Sequence, residues 1–475
     1  MNREQYSLVV VGTGFASTFF LTEYLRLAGP SERVLVLERG QRYSHAWKVQ
    51  NRTSSAQRFD ELVVNRTPQK QWVQNIAFGG GSCWTGNTPR FQPADFDIAT
   101  RHGIGEDWPI SYDELEPYYV RVEHAMQIAG AAGGPYRRSA DYAQPAHALN
   151  AFDELLAEKY PGQYLPMPSA RASTPAAGRG VCCAAGVCSV CPTDAKFEIA
   201  THYSTIYDDP RVTLSLESEV TRLDIEGNQV RGVVYEREGA EQTARCDLAV
   251  VGAHAIMTPF ILLRSGLDDD ALGRYLNEQI GRDVKIHLRG VKNFNGGQAV
   301  TGLGTMFLDR EDRSERAGCL VEGWNVPWLR AERGRWTEVA FLKLVFEDQP
   351  DRENRVTVGS DPKRPELTYE RVSDYLERGF ESIPERVDEL LEGLPVEDYA
   401  IEVMEGGGLG GSAHIQGTTR MGVDPSRSVV DRDLRHHRVR NLITVGGGVF
   451  PTCPAGNPTL SLSALAVRAA ERCFA

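Results

Sequence analysis

The apolar positions of this chain are most sharply patterned near its N-terminus. Leu8-Val9-Val10-Val11 is a short run of strand formers. The segment TFFLTEYLRLAG spaces its apolar residues as a helix does and ends at Gly29. A second strand, Arg33-Val34-Leu35-Val36-Leu37, stops at Glu38. Between the first strand and the helix lies Gly12-Thr13-Gly14-Phe15-Ala16-Ser17. The order strand, glycine turn, helix, strand, acid is that of a dinucleotide site. Gly12 permits the tight turn, and Gly14 lets backbone approach a pyrophosphate at the helix N-terminus, where free N–H groups favour negative charge. Phe15, Ala16 and Ser17 open the helix, with Ser17 where a third glycine is usual. Glu38, followed by Arg39, is placed to accept from ribose hydroxyls. NAD and FAD both fit this much of the pattern.

Two further glycine clusters extend the site. Asn75-Ile76-Ala77-Phe78-Gly79-Gly80-Gly81-Ser82-Cys83-Trp84-Thr85-Gly86-Asn87 allows close passage of backbone beside a flat or charged ligand. Near the other end, Asn441-Leu442-Ile443-Thr444-Val445 reads as a strand before Gly446-Gly447-Gly448 and Val449. LSALAVRAAERCFA then closes the chain as an amphipathic helix. A ligand touching all three loops is long, and the chain ends must meet around it. The charged stretch DRDLRHHRVR, with His436 and His437, reads as a solvated face.

Length and charge narrow the class. The 475 residues correspond to about three structural units by length. A net charge of −12 disfavours nucleic acid or an anionic membrane surface as partner. No apolar run approaches the ~18 residues of a membrane span. No leader-like apolar segment precedes YSLVVVG, so the chain is expected to be made and kept in the cytoplasm, or exported folded on a signal-bearing partner.

With these motifs in order, the chain resembles the glucose-methanol-choline (GMC) oxidoreductase family from end to end. The resemblance is carried by DWPISYDELEPYY (Asp107 to Tyr119), by Val250 to Gly266, and by His414-Ile415-Gln416-Gly417-Thr418-Thr419-Arg420-Met421-Gly422. Val449-Phe450-Pro451-Thr452 and Asn457-Pro458-Thr459 complete it. It implies an α/β fold. A discontinuous Rossmann-like FAD-binding domain (1–283 and 401–475) would carry an α+β substrate domain on an antiparallel sheet (284–400). In the latter, EDQPDRENRV with Thr357-Val358-Gly359 fits strand, turn, strand, and SDYLERGFESIPERVDELLEG its helix. FAD would lie with adenine near Glu38 and Val220. Its ring would sit between the loop of Gly80, Gly81, Ser82, Trp84, Gly86 and Asn87 and the turn of Pro458 and Thr459, with Gly448 and Val449 close by.

The resemblance also implies oxidation of an alcohol carbon, with His414 as the base and hydride passing to flavin N5. Imidazole suits that role because its pKa of about 6.5 is near operating pH. Asn457 would donate and accept toward the substrate oxygen. A branch of the family joins pyranose and cholesterol oxidases with bacterial sugar dehydrogenases, and the Asn form is similar to it. Substrate-domain residues such as Asn293, Asn295, Trp324, Trp328 and Trp336 suit a sugar or polyol; a sterol or small apolar alcohol is the alternative. Cys83 stands where some pyranose-oxidase-like proteins attach FAD through a histidine, so a packed thiol is expected there instead.

Four of the nine cysteines fall between residues 181 and 192. From Cys183 the spacing is C-x4-C-x2-C, as in the first three ligands of plant-type iron–sulfur loops. The region also resembles the double-cysteine segment of bacterial FAD sugar dehydrogenases, with one residue fewer in the last interval. Three readings stand: a 3Fe-4S or 4Fe-4S cluster held by Cys182, Cys183, Cys188 and Cys191; a structural zinc; or a thiol-rich loop without metal. A cluster would make the protein a dehydrogenase feeding a redox partner protein or quinone. Without one, oxygen or a quinone would be the direct oxidant. A flavin and iron–sulfur electron-transfer subunit is the reading from another class.

Overall fold

The computed structural model describes residues 5–80, 83–176, 178–325, 328–402 and 413–474. Its central sheet is built on the two N-terminal strands. Strand Gln5–Val11 pairs in parallel with Val34–Leu37 on one side and with Ala240–Val251 on the other. Val34–Leu37 continues to Val212–Ser215, also in parallel. Leu8 to Val11 and Val34 to Leu37 are all buried, as expected of a parallel sheet covered on both faces.

The twelve-residue strand Ala240–Val251 forks this sheet. Its first half runs antiparallel to Gln229–Arg237, which pairs in turn with Glu219–Glu226. Its last three residues pair in parallel with Leu442–Thr444, so both ends of the chain meet in one sheet. The final helix, Thr459–Glu471, packs against Phe15–Leu27 and Tyr112–Met126. It is not the half-solvated helix its sequence suggests. Leu460, Ser461, Ser463 to Ala470 are all buried, and the Ser461 hydroxyl meets the Tyr119 hydroxyl at 2.7 Å. Small residues let this helix sit inside the core while its hydroxyls find partners.

A second, six-stranded antiparallel sheet runs in the order 396–402, 280–288, 339–346, 319–324, 300–307, 164–166. Its rear face, with Val321, Leu342, Leu344 and Phe346, packs on two helices, Asp374–Glu381 and Ile383–Leu391. Sequence pattern suggests one helix here. Pro384 breaks it, because a proline inside a helix has no N–H to donate but is tolerated in the first turn of a new one. The strand–turn–strand expected from residue 347 begins later. Glu347 and Asp348 lie beyond the strand Val339–Phe346, and Arg355–Val358 pairs with Pro365–Thr368 in a separate small sheet. Glu347 is buried, holding the guanidinium of Arg313.

The stretch DRDLRHHRVR is only partly solvated. His436 is fully buried, and its Nε2 meets Asp269 at 2.9 Å, while His437 Nε2 meets the Ser428 hydroxyl. The expectation of a solvated pair is overturned for His436. The surrounding arginines face outward to Asp268, Asp431 and Glu114, and their charge dominates the sequence pattern.

Candidate active site

Between the two sheets lies a cavity of about 560 Å³, within the usual size of a small-molecule or cofactor site. One end is made by the first glycine turn. Gly12 has φ +88, and a Cβ there would meet the Gly252 carbonyl at 2.7 Å. At Gly14 a Cβ would meet nothing within 4 Å, so the turn leaves open space in front of the helix. Helix Phe15–Leu27 starts there with no side-chain cap and no acid in its first turn. Its free N–H groups face the cavity at Gly14, Phe15 and Ala16.

The second glycine loop crosses the first in backbone contact. A Cβ on Gly80 would lie 3.2 Å from Gly14 Cα. Thr13 ties the crossing together, accepting from Gly79 N at 2.8 Å and donating to Glu38 Oε2 at 2.6 Å. Glu38 also accepts from Thr13 N and Gly40 N. Burial holds its carboxyl above the usual range, and these three donors offset only part of that rise. It lines the cavity with Arg39 and Val220. The ring of Trp84 packs on Phe15 at 4.7 Å between centroids, and its Nε1 donates to Phe197 O. Cys83 lies alongside, its thiol pushed up in pKa by burial.

His414, Asn457, Pro458 and Thr459 close the far end. His414 N donates to Glu278 Oε1 at 3.0 Å, and its Nδ1 meets Gln279 Oε1 at 2.5 Å. Gln279 Nε2 donates to the carbonyls of Pro454 and Gly456. With its nitrogen so committed, the Gln279 oxygen can only accept, so the proton sits on His414 Nδ1 and the lone pair on Nε2. Burial, and then the charge of Lys343, push this imidazole down to about 3, so it is neutral throughout the working range of pH. Asn457 engages Glu322 through its side chain, and its buried Oδ1 has no partner among the described residues.

Of the residues singled out from sequence, Gly12, Gly14, Phe15, Ala16, Glu38 and Arg39 come together on this cavity. So do Gly80, Trp84, Asn87 and Val220. Four others stand behind the wall. The Ser17 hydroxyl lies 3.4 Å from both Val11 O and Gly252 O. Gly86 backs onto Lys196 and Arg171, and Gly448 onto Thr419, with Val449 in the core. Gly446 and Gly447 line the cavity instead. Gly81 and Ser82 lie outside the described residues. Trp324 is on the cavity, whereas Trp328 and Trp336 are half exposed on the surface, and Asn293 and Asn295 cap the start of helix Ala151–Lys159.

Sequence reading missed Glu322, Lys343, His254 and Gln279. The first two carried a signal: each is a lone charge inside an otherwise apolar strand, CLVEGW and VAFLKLVF. His254 follows Gly252-Ala253 with φ +79, a conformation uncommon outside Gly and, to a lesser degree, Asn, Asp and His.

The cysteine loop adjoins the cavity wall. Buried Lys196 donates to Trp84 O at 2.9 Å and Cys188 O at 2.6 Å, and Arg171 reaches Thr85 O and Cys188 Sγ. The four thiols do not converge on one point. Cys183 is exposed, while Cys191 is buried and accepts from Ala195 N at 3.3 Å. Among the described residues no group of three or more His, Cys, Asp or Glu is placed to hold a metal ion. As placed, Cys182, Cys183, Cys188 and Cys191 do not fit a cluster or a zinc ion.

An uncapped helix start, an open glycine and an acid at the second strand fit a dinucleotide. His414 lines the same cavity. Residues 350–466 match the family model described as GMC oxidoreductase. The large subunit of fructose dehydrogenase from Gluconobacter japonicus is 26% identical over 465 residues, covering 86% of this chain and 83% of that one. The 2-methyl-1,2-propanediol dehydrogenase of Mycolicibacterium austroafricanum is 28% identical, covering 84% and 81%. The fold is shared with pyridoxine 4-oxidase from Mesorbium loti, at a TM-score of 0.68 and 19% identity over 98% of this chain and 99% of that one. Motif order, site geometry and these likenesses agree: residues 350–466 carry the GMC oxidoreductase family match, and the chain as a whole resembles the FAD-dependent enzymes of that family.

Proposed function

We propose that the protein oxidises a hydroxyl-bearing carbon of a sugar or polyol. The observation that carries this reading is the fixed imidazole of His414 on the cavity, whose Nε2 has no hydrogen-bond partner among the described residues. FAD, when bound, supplies the acceptor for the hydride that leaves the carbon. Gly14 and the helix start behind it would hold the pyrophosphate, and Glu38 the ribose. The Gly80 loop and the Pro458-Thr459 turn would flank the ring.

The substrate hydroxyl donates to His414 Nε2, which takes its proton as the C–H bond breaks. The Nδ1 proton stays on the ring and is donated to Gln279 Oε1, so the charge formed on the imidazole is met by a hydrogen bond already in place. Asn457 borders the same space, held by Glu322.

Relatives named for fructose and for 2-methyl-1,2-propanediol support a polyhydroxy substrate over a sterol. An iron–sulfur cluster at residues 181–192 would carry the electrons onward one at a time. Stoichiometric iron and acid-labile sulfide in anaerobically purified protein would reveal one, and with it a separate electron-accepting partner. The reading itself is tested by anaerobic bleaching of the flavin absorbance with polyols. Bleaching that slows severalfold when the reacting C–H is replaced by C–D is expected. A flavin that dithionite reduces but no alcohol bleaches would overturn it.

A further inference from the structure

The cavity has a charged wall that proton abstraction does not use. Strands Cys319–Trp324 and Val339–Phe346 are antiparallel neighbours, with Glu322 directly opposite Lys343. Side chains alternate across a strand, so Glu322, Trp324, Lys343 and Val345 share the cavity face while Val321 and Leu344 face the helices behind. Glu322 is 3% exposed. A carboxylate is costly to bury unless donors surround it. Trp324 Nε1 donates to it at 3.0 Å and Asn87 Nδ2 approaches at 3.5 Å, with Asn457 beside them. The Asn87 amide is locked in this orientation, because its oxygen accepts from Arg171 Nη2 at 2.8 Å. Lys343 sits over the Trp324 ring at 5.7 Å, and it also pairs with Asp283 at 3.7 Å. A carboxylate has about four lone-pair positions, and the protein donors approach from the wall.

We propose that Glu322 and Lys343 select the substrate by binding hydroxyl groups next to the one that is oxidised. This rests on the alcohol-oxidation reading above. Glu322 accepts from one neighbouring hydroxyl, and the Lys343 ammonium donates to another. A simple alcohol engages His414 and leaves both charged groups without a ligand partner. Lys343 beside the carboxylate disfavours a substrate ammonium, so neutral hydroxyls are the class that fits.

The test compares cis-1,2-cyclohexanediol with cyclohexanol as reductants of the anaerobic FAD-loaded enzyme. An unfilled buried acceptor is worth roughly tenfold or more in kcat/KM, so the diol should lead by at least that factor. E322Q should erase most of the lead, chiefly through KM, with E322D recovering part of it. K343M, at a less buried position, should shrink it while FAD content and melting temperature stay at wild-type values. A wild-type-sized lead in E322Q and K343M would overturn the proposal. So would faster reduction by cis-2-aminocyclohexanol than by the diol. If neither diol nor alcohol bleaches the wild-type flavin while dithionite does, the alcohol-oxidation reading falls, and this assignment with it.

Discussion

Gln279 holds His414 by a 2.5 Å hydrogen bond from Nδ1, while its amide nitrogen is spent on two carbonyls of the segment that leads to Asn457. One side chain thus fixes the tautomer of the base and the position of the turn beside it. Replacing Gln279 with Leu leaves the imidazole N–H and two carbonyls without this partner. Flavin reduction should slow by about 100-fold, the scale of a misplaced reacting group, with FAD still bound. Stopped-flow absorbance checks it; an unchanged rate would show that the imidazole is oriented by other contacts.

Thr13 binds the two glycine loops and Glu38 to each other. Thr13→Val keeps the shape but strips Gly79 N–H and Glu38 of a partner, a loss of about 2–4 kcal/mol. Part of that loss should appear as FAD released on dialysis, measured by flavin fluorescence in the filtrate. Full retention with an unchanged melting temperature would contradict this role.

His254 is held neutral by burial, its pKa pushed down from the ordinary value to about 4. The unfolded chain takes up this proton below about pH 6.5, and the folded chain only below about 4. The associated stability is therefore complete above pH 6.5 and drains away as pH falls toward 4, by up to about 1.4 kcal/mol per pH unit. His254→Asn, which tolerates the same backbone conformation, should flatten that slope by up to one proton. Denaturant titrations at pH 7 and pH 5 measure it. His254→Val should instead destabilise the fold at every pH by about 1–2 kcal/mol, because a β-branched residue resists positive φ.

The N-terminal half of the cofactor cavity was legible because its parts are local. Gly12, Gly14 and Glu38 fall within one strand–turn–helix–strand unit, whose geometry repeats wherever a helix start must meet a phosphate. The opposite wall was less so. Gln279 is one amide in a polar stretch, YLNEQ, and only the fold reveals that its nitrogen is committed and its oxygen free. The strand Tyr164–Pro166 joins the antiparallel sheet from far upstream, a pairing that short-range periodicity does not show. His436 was misread because a run of exposed arginines hides a residue whose own ring turns inward to Asp269. The spacing of Cys183, Cys188 and Cys191 reads alike for a cluster or a bare loop, since spacing does not say which way each thiol points.

The measurement that bears most directly on the account is single-turnover flavin reduction by a polyol in His414→Ala, made anaerobically beside the wild type. Removing the base should slow reduction by about 100- to 10,000-fold, the range expected for one general base. FAD content and the dithionite-reduced spectrum should be unchanged. A variant that is reduced as fast as the wild type would show that the proton leaves by another group, and that the Gln279–His414 pair does not perform the chemistry assigned to it.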